Sequence, residues 1–239
     1  MIVMKRVGLT AILLHFILLQ VHATWSIIVI DPITKEIGIA GASCTYSVYG
    51  IGAIIPAKGA VVVQAMSNKA AMAKGAEMIK AGATPAQILQ ALQDHRFDPE
   101  NQQYAIVCLN YPEQSATYTG TATTPYKGTL TASGVSVQGN TLTSPDELQE
   151  ILNAVLQAQK DSLRIEDVLM LALEAGAKFG GDKRCGETKA SSAFLTVAKP
   201  TDDVNRPCLN LVVKRSGVNI NAVESLRKKF DAWKIETGK

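Results

Sequence analysis

Thr24 directly follows Val21-His22-Ala23, and that placement would give it a chemistry most threonines lack. If the bond after Ala23 is cut, Thr24 becomes the first residue and carries both a hydroxyl nucleophile and an α-amine. An α-amine titrates at about 7.7 to 8.0, so a useful fraction is neutral near neutral pH and can take the hydroxyl proton, directly or through one water. Such a site needs no catalytic histidine, and only His95 lies beyond the first 23 residues. The plain alternative is that Thr24 is merely where cleavage falls.

Other residues could complete such a site. Asp182 and Arg184 follow a Gly-Gly pair, in a loop leading into a strand, where functional groups are often held. The carboxylate could orient the α-amine and the guanidinium could bind a substrate carboxylate through two parallel hydrogen bonds. Equally, the two could pair locally and fix the loop. Asn140, or a backbone N–H in Gln138-Gly139-Asn140, could stabilise an oxyanion, although Gly-Asn is more often a turn. Ser43 ends a strand expected beside Thr24, so it could hydrogen-bond the amine or be an ordinary strand serine. Gln64 is read as satisfying backbone groups rather than lining a cleft. His95 lies in a polar stretch and reads as solvent-exposed.

The four cysteines, Cys44, Cys108, Cys185 and Cys208, match no zinc spacing. With one histidine and no ligand cluster, neither a metal nor a cofactor is expected. Cys44 could be a nucleophile, but a thiol needs an activating base or electropositive surroundings, and a structural bridge is the preferred reading. In an exported chain four cysteines allow three pairings.

Export is expected from the first residues. Lys5 and Arg6 precede a mostly apolar run, Val7 to Gln20, followed by small residues at Val21 and Ala23. The run is short for a membrane span and has the form of a cleaved signal peptide over 1–23, with an uncleaved anchor as the alternative. Localisation is therefore read as secreted or periplasmic, with no membrane attachment after cleavage. Without Lys5 and Arg6 the chain carries 22 basic and 21 acidic residues. That balance gives no footprint for nucleic acid.

The elements that must position these residues are legible in outline. Thr24 to Ile30 is β-branched and apolar, a buried strand. A turn at 31–35 leads to a second strand, Glu36 to Ser43, and the short connection predicts an antiparallel hairpin. Gly50 to Ile55 and Ala60 to Ala65 form a second hairpin. Helices are expected from Asn68 to Lys80, from the Thr84-Pro85 start, from Ser144-Pro145, over Arg164 to Phe179, and from Asn221 to Trp233. The last packs Leu226, Phe230 and Trp233 on the core. Strands are expected at Tyr104–Leu109, Ala116–Gly120, Val135–Gly139, Ala193–Ala198 and Leu209–Val213, with polar loops at 94–103 and 119–134. Short early turns and paired helices argue against a doubly wound parallel sheet. The fold class is α+β, with two largely antiparallel sheets packed together and helices outside, in one domain over 24–239.

Several segments resemble the family known as domain of unknown function 1028 (DUF1028). They are Ala23–Val29, Asp31-Pro32, Gly38–Ser43, Val63-Gln64-Ala65, Val137–Asn140, Gly180–Cys185 and Ser192–Leu195, in that order along almost the whole chain after residue 23. That family is classed with the N-terminal-nucleophile (Ntn) hydrolases, which implies a four-layer αββα sandwich and an N-terminal threonine exposed by processing. The resemblance also implies a Cys44–Cys185 bridge, since relatives carry both positions together. The activity implied is an Ntn-type amidohydrolase acting on a small amide or peptide-like substrate, with Thr24, Ser43, Asn140, Asp182 and Arg184 as its site. One departure stands out. The proteasome branch keeps a lysine beside its threonine, whereas Gly50 or Gly52 falls near that place here and Lys58 sits on a turn. A non-catalytic module binding cell-envelope material on the same fold is the alternative. Oligomeric state is left open.

Overall fold

The computed structural model describes residues 24–238. The expected signal peptide at 1–23 lies outside the described residues.

The strongest sequence signal, the apolar run at the start, becomes the centre of the larger sheet. Strand β1 (Thr24–Ile30) pairs antiparallel with β2 (Ile37–Ser43) on one side and with β8 (Val135–Asn140) on the other. Among the described residues the strands form two sheets. The larger has six strands in the order β10 (Leu209–Val213), β9 (Ser192–Ala198), β2, β1, β8, β7 (Gly128–Ala132). The smaller has the order β3 (Gly52–Ile55), β4 (Gly59–Ala65), β5 (Gln102–Cys108), β6 (Ala116–Thr119). Every strand pairing in both is antiparallel.

Alternation along the strands sorts the core into three layers. Trp25, Ile27 and Val29 face outward under helices α3 (Glu147–Lys160), α4 (Ile165–Lys178) and α5 (Ala222–Thr237). Ile28 and Ile30 face the smaller sheet and pack with Ile37, Ile39, Val62 and Val107. Beyond that sheet, Val61, Val63 and Ile106 pack under α1 (Lys69–Ala81) and α2 (Pro85–Leu92). The result is the expected α+β sandwich: helices, sheet, sheet, helices. Thr84 and Gln87 form a reciprocal cap at the start of α2, as the Thr-Pro pair predicts. Leu226 and Phe230 are buried on α5, with Trp233 packed against the same core.

Three expectations are corrected. The stretch 119–134, read as a loop, contains strand β7. It carries little apolar signal because it is a half-buried edge strand. The two-residue turn Ser133-Gly134 hairpins it to β8, with Gly134 at φ 66°. Helix α3 begins at Glu147, not at Ser144-Pro145, and its preceding residue Asp146 makes no side-chain cap. In the polar stretch 94–103 there are two short 3-10 turns, and β5 starts at Gln102, inside the expected loop.

A close contact fixes β1 against its helix layer. A Cβ at Gly176 of α4 would lie 2.4 Å from the buried Trp25 indole nitrogen. Gly176→Ala is therefore expected to destabilise the protein by about 1–3 kcal/mol in urea unfolding. Gly128→Ala, whose Cβ would make only an ordinary 3.5 Å contact with Leu148, should leave the unfolding midpoint unchanged or slightly raised.

Candidate functional site

The space between the sheets changes character along β1. At the Ile30 end it is apolar; at the Thr24 end it is polar. The side chains of one strand face alternate outward and inward, so Thr24 and Ser26 share the inward face with Ile28. Ser43 on β2, Gln138 and Asn140 on β8, Gln64 on β4 and Gln103 on β5 face the same space, and all are buried. Thr24 pairs with Ser43 on one side and Asn140 on the other. Three of the expected site residues thus form one row across three adjacent strands.

Behind that row runs a continuous hydrogen-bond chain. Ser136 Oγ donates to Gln138 Oε1 at 2.8 Å, and Gln138 Nε2 donates to Ser26 Oγ at 2.6 Å. Ser26 Oγ donates to Gln64 Oε1 at 2.6 Å, and Gln64 Nε2 donates to Gln103 Oε1 at 2.9 Å. Gln103 Oε1 also accepts from Asn140 Nδ2 at 2.8 Å, while Gln103 Nε2 donates to the Gly139 carbonyl at 2.8 Å. Gln64 Nε2 lies 3.4 Å from the Thr24 carbonyl. Buried amides are costly unless satisfied, and here each has partners. The network carries no formal charge, ties the two sheets together and holds Asn140 with one of its N–H groups engaged.

Two of these placements differ from the sequence reading. Gly139-Asn140 is not a turn: β8 runs on through Asn140, one residue past its expected end. Gln64 does more than satisfy backbone groups; it is the crossing point between the sheets. Gln103 was missed, because a Gln-Gln pair following polar residues reads as loop. Its only signal is its place directly before the apolar run Tyr104–Leu109.

Backbone conformation is unusual beside this network. Thr141, directly after Asn140, has φ 52°, and Ala65, directly after Gln64, has φ 71°. A left-handed β-branched residue costs on the order of 1–3 kcal/mol unless its surroundings impose it. Thr141 turns the chain so that its carbonyl accepts the Lys183 N–H at 3.1 Å. That bond draws the next loop over the end of β1.

This loop brings Asp182 to the site. Residue 182 bridges to Leu142, past the end of β8. Its Oδ2 accepts the N–H of Cys44, past the end of β2, at 2.6 Å. Asp182 therefore lies across the Thr24 end of β1, spanning the two strands that flank it. The Arg184 guanidinium closes on it through two bonds, Nε to Oδ1 at 3.1 Å and Nη2 to Oδ2 at 2.7 Å, and the Arg184 N–H adds a third to Oδ1 at 3.0 Å. Asp182 is 0% exposed and the Arg184 side chain 30%. The local-pair reading of these two residues holds, and the Nε/Nη2 edge of Arg184 is spent on Asp182. Cys44 and Cys185 are disulfide-bonded, which anchors the same loop to β2, while Cys108 and Cys208 are free thiols. Cys44 is thus not a free nucleophile.

Ser43 sits at the meeting point: its Oγ accepts from Thr45 Oγ1 at 3.2 Å, and its carbonyl accepts the Ser191 N–H. His95 is fully exposed. Lys58, on the β3–β4 turn, donates to the Lys80 carbonyl on α1, away from the row. Among the described residues no group of His, Cys, Asp and Glu could hold a metal ion, and no helix is long and apolar enough to cross a membrane.

The model of a family of unknown function, DUF1028, matches residues 24–223. The chain belongs to that family. A crystal structure of protein SPO2555 from Silicibacter pomeroyi, itself assigned to DUF1028, superposes with a TM-score of 0.75 at 21% identity, covering 89% of each chain. At that identity the likeness is one of fold. No curated protein matches the chain. The DUF1028 match begins at Thr24, the first residue of β1.

One further acid lies beside the Asp182 loop. Glu147, the first residue of α3, is 0% exposed, and neither carboxyl oxygen has a hydrogen-bond partner. Burial pushes its pKa up to about 8. The N–H groups of Thr143 and Gly181 oppose the rise. Both already donate to backbone carbonyls, those of Gly181 and Gly176, so neither is a full partner. Because the folded pKa exceeds the ordinary 4.5, the folded state holds the proton more tightly than the unfolded chain. The stability this contributes is complete below about pH 4.5 and is lost as pH rises to about 8. Relative to Glu147→Gln, the wild-type protein should lose on the order of a few kcal/mol across that window, read by urea unfolding at successive pH values.

Proposed function

We propose that this DUF1028 protein is an exported amide hydrolase of the N-terminal-nucleophile type, with Thr24 as nucleophile after removal of residues 1–23. The single observation that carries the reading is the placement of Thr24. It begins the central strand, between Ser43 and Asn140, with the buried Asp182 carboxylate lying across the same end. The start of the family match at Thr24 supports it.

In this reading Thr24 Oγ1 attacks the carbonyl carbon of a small amide or peptide-like substrate. Its proton passes to the α-amine of the same residue, and then to the leaving nitrogen as the C–N bond breaks. Water attacks the resulting ester with the amine again as base, releasing the acid and restoring the hydroxyl. Asp182, whose two oxygens already accept four N–H donors from Cys44 and Arg184, acts on the amine through its negative charge rather than through a hydrogen bond. Arg184, by neutralising Asp182, keeps the carboxylate from raising the amine's proton affinity so far that it stays charged. Asn140, with one N–H engaged by Gln103, has a second N–H to stabilise the developing oxyanion. Ser43 holds the amine from the neighbouring strand. The buried polar network supports the reading because it replaces apolar packing between two sheets, a choice that favours a preorganised site over maximal stability.

The test is covalent. An α′,β′-epoxyketone needs both the hydroxyl and the free amine of an N-terminal threonine to form its ring adduct. The exported protein should gain one adduct, located on Thr24 by peptide mass spectrometry. Thr24→Ala should gain none, and Thr24→Ser should react. Labelling that persists in Thr24→Ala would remove Thr24 as nucleophile. No labelling of wild type, with an intact free N-terminus, would leave a binding module on this fold as the better reading. On any amide substrate found, Thr24→Ala should lower kcat by at least about a thousandfold.

A further inference from the structure

Glu147 has no role in the reaction just described, yet a buried carboxyl without a hydrogen bond asks for an explanation. It does not lie in a generic core position. The turn above it is stitched to Thr143, one helical turn before Glu147. Thr143 Oγ1 donates to the carbonyls of Gly180 and Gly181, at 3.1 and 3.0 Å, and the Thr143 N–H donates to Gly181 at 3.1 Å. The turn has no slack. Gly180 and Gly181 sit at φ 131° and 66°. Cβ atoms there would lie 2.6 Å from Thr143 Cβ and 2.7 Å from the Lys189 carbonyl. The residue that follows this turn is Asp182. Glu147 therefore supports, from below, the segment that sets the position of the carboxylate at the end of β1.

We propose that Glu147 is a positioning residue for the Thr24 site, neutral when the site is assembled, and that its ionisation shifts the Gly180–Asp182 turn and weakens the bonds from Cys44 and Arg184 to Asp182. The physical cause is like-charge repulsion within a dry space. The charges that bear on Glu147 are Asp182, which disfavours its ionisation, and Lys189, which favours it. Strands β7 and β8, packed against α3, carry no titratable side chain. Three charged residues of α4 have other partners: Arg164 on Glu166, Lys234 on Asp167 and Arg227 on Glu174. The fourth, Lys178, lies over the Phe179 ring. With Arg184 already matched to Asp182 and Lys189 paired with Glu187 at 3.4 Å, a second negative charge would be only weakly compensated beneath the turn. On the reading of Thr24 as nucleophile, on which the functional side of this inference rests, that charge would also hold the α-amine in its protonated, inactive form.

The experiment follows the two backbone amides that donate to Asp182. In 1H–15N spectra of the exported protein, the Cys44 and Arg184 cross-peaks should move together as pH is raised, with a common midpoint near 8. In Glu147→Gln, which keeps the shape and stays neutral, both should hold their low-pH positions through that range. Labelling of wild type by the epoxyketone should fall above the same midpoint relative to Glu147→Gln. Cross-peaks that stay fixed in wild type, or that titrate identically in Glu147→Gln, would overturn the proposal. If the variant does not fold, the side-chain carboxyl 13C resonance of Glu147 decides instead: it should titrate with the same midpoint as the two amides, and a Glu147 carboxyl that does not titrate there overturns the proposal. Coupled cross-peaks in a protein that the epoxyketone never labels would uphold Glu147 as the support of the turn while sinking the nucleophile reading, so the two failures are distinguishable.

Discussion

The pairing of β1 between β2 and β8 is the constraint on which the rest depends. Because side chains alternate strictly along a strand, the register that buries Ile28 and Ile30 between the sheets also points Ser26 and Thr24 into the same space. A slip of one residue would put Trp25 between the sheets and Thr24 under the helices. The fit of Trp25 against Gly176 of α4 holds the register from the other side. Hydrophobic packing at one end of the strand thus sets the geometry of the polar end.

From that register the local features follow in sequence. Ser43 and Asn140 flank Thr24 because their strands end level with it. The left-handed turn at Thr141 sends the chain from β8 towards the 180–189 loop, and the Lys183 N–H bond to Thr141 fastens the two. Two glycines in left-handed conformations let that loop pass close to Thr143 and Lys189, and the Cys44–Cys185 bridge ties it to β2. Asp182 is then held by groups from three sides. Fixing an acid this firmly without water around it is the arrangement expected where orientation matters more than stability.

Much of this was legible in the residues. The apolar run Thr24–Ile30 and the short turn after it gave the central hairpin, because β-branched runs and tight connections leave few alternatives. The loop after Gly180-Gly181 was marked by glycines that only special backbone angles require. The strand residues that were misplaced share one physical cause: polar side chains within strands. Gln103 and Asn140 face another sheet rather than solvent, so their polarity read as loop or turn. Strand β7 was hidden for a related reason, since this edge strand is held with no fully buried residue, only Leu130 and Ala132 packed half-buried against the core. Glu147 gave no signal, because an acid in the first turn of a helix is the ordinary choice, and only the packing of the turn above reveals that it is sealed.

The central claim is that Thr24 is a free N-terminal residue at the end of β1, and one measurement tests it most directly. Periodate cleaves the 1,2-amino alcohol of an N-terminal threonine and leaves a glyoxylyl group, whereas an internal threonine is inert. The intact mass of the protein recovered after expression from Met1, taken without reduction before and after brief periodate treatment, should fit a chain starting at Thr24 and then show that conversion. A chain that starts elsewhere, retains its first residues or resists periodate would contradict the account, since the proposed base would not exist.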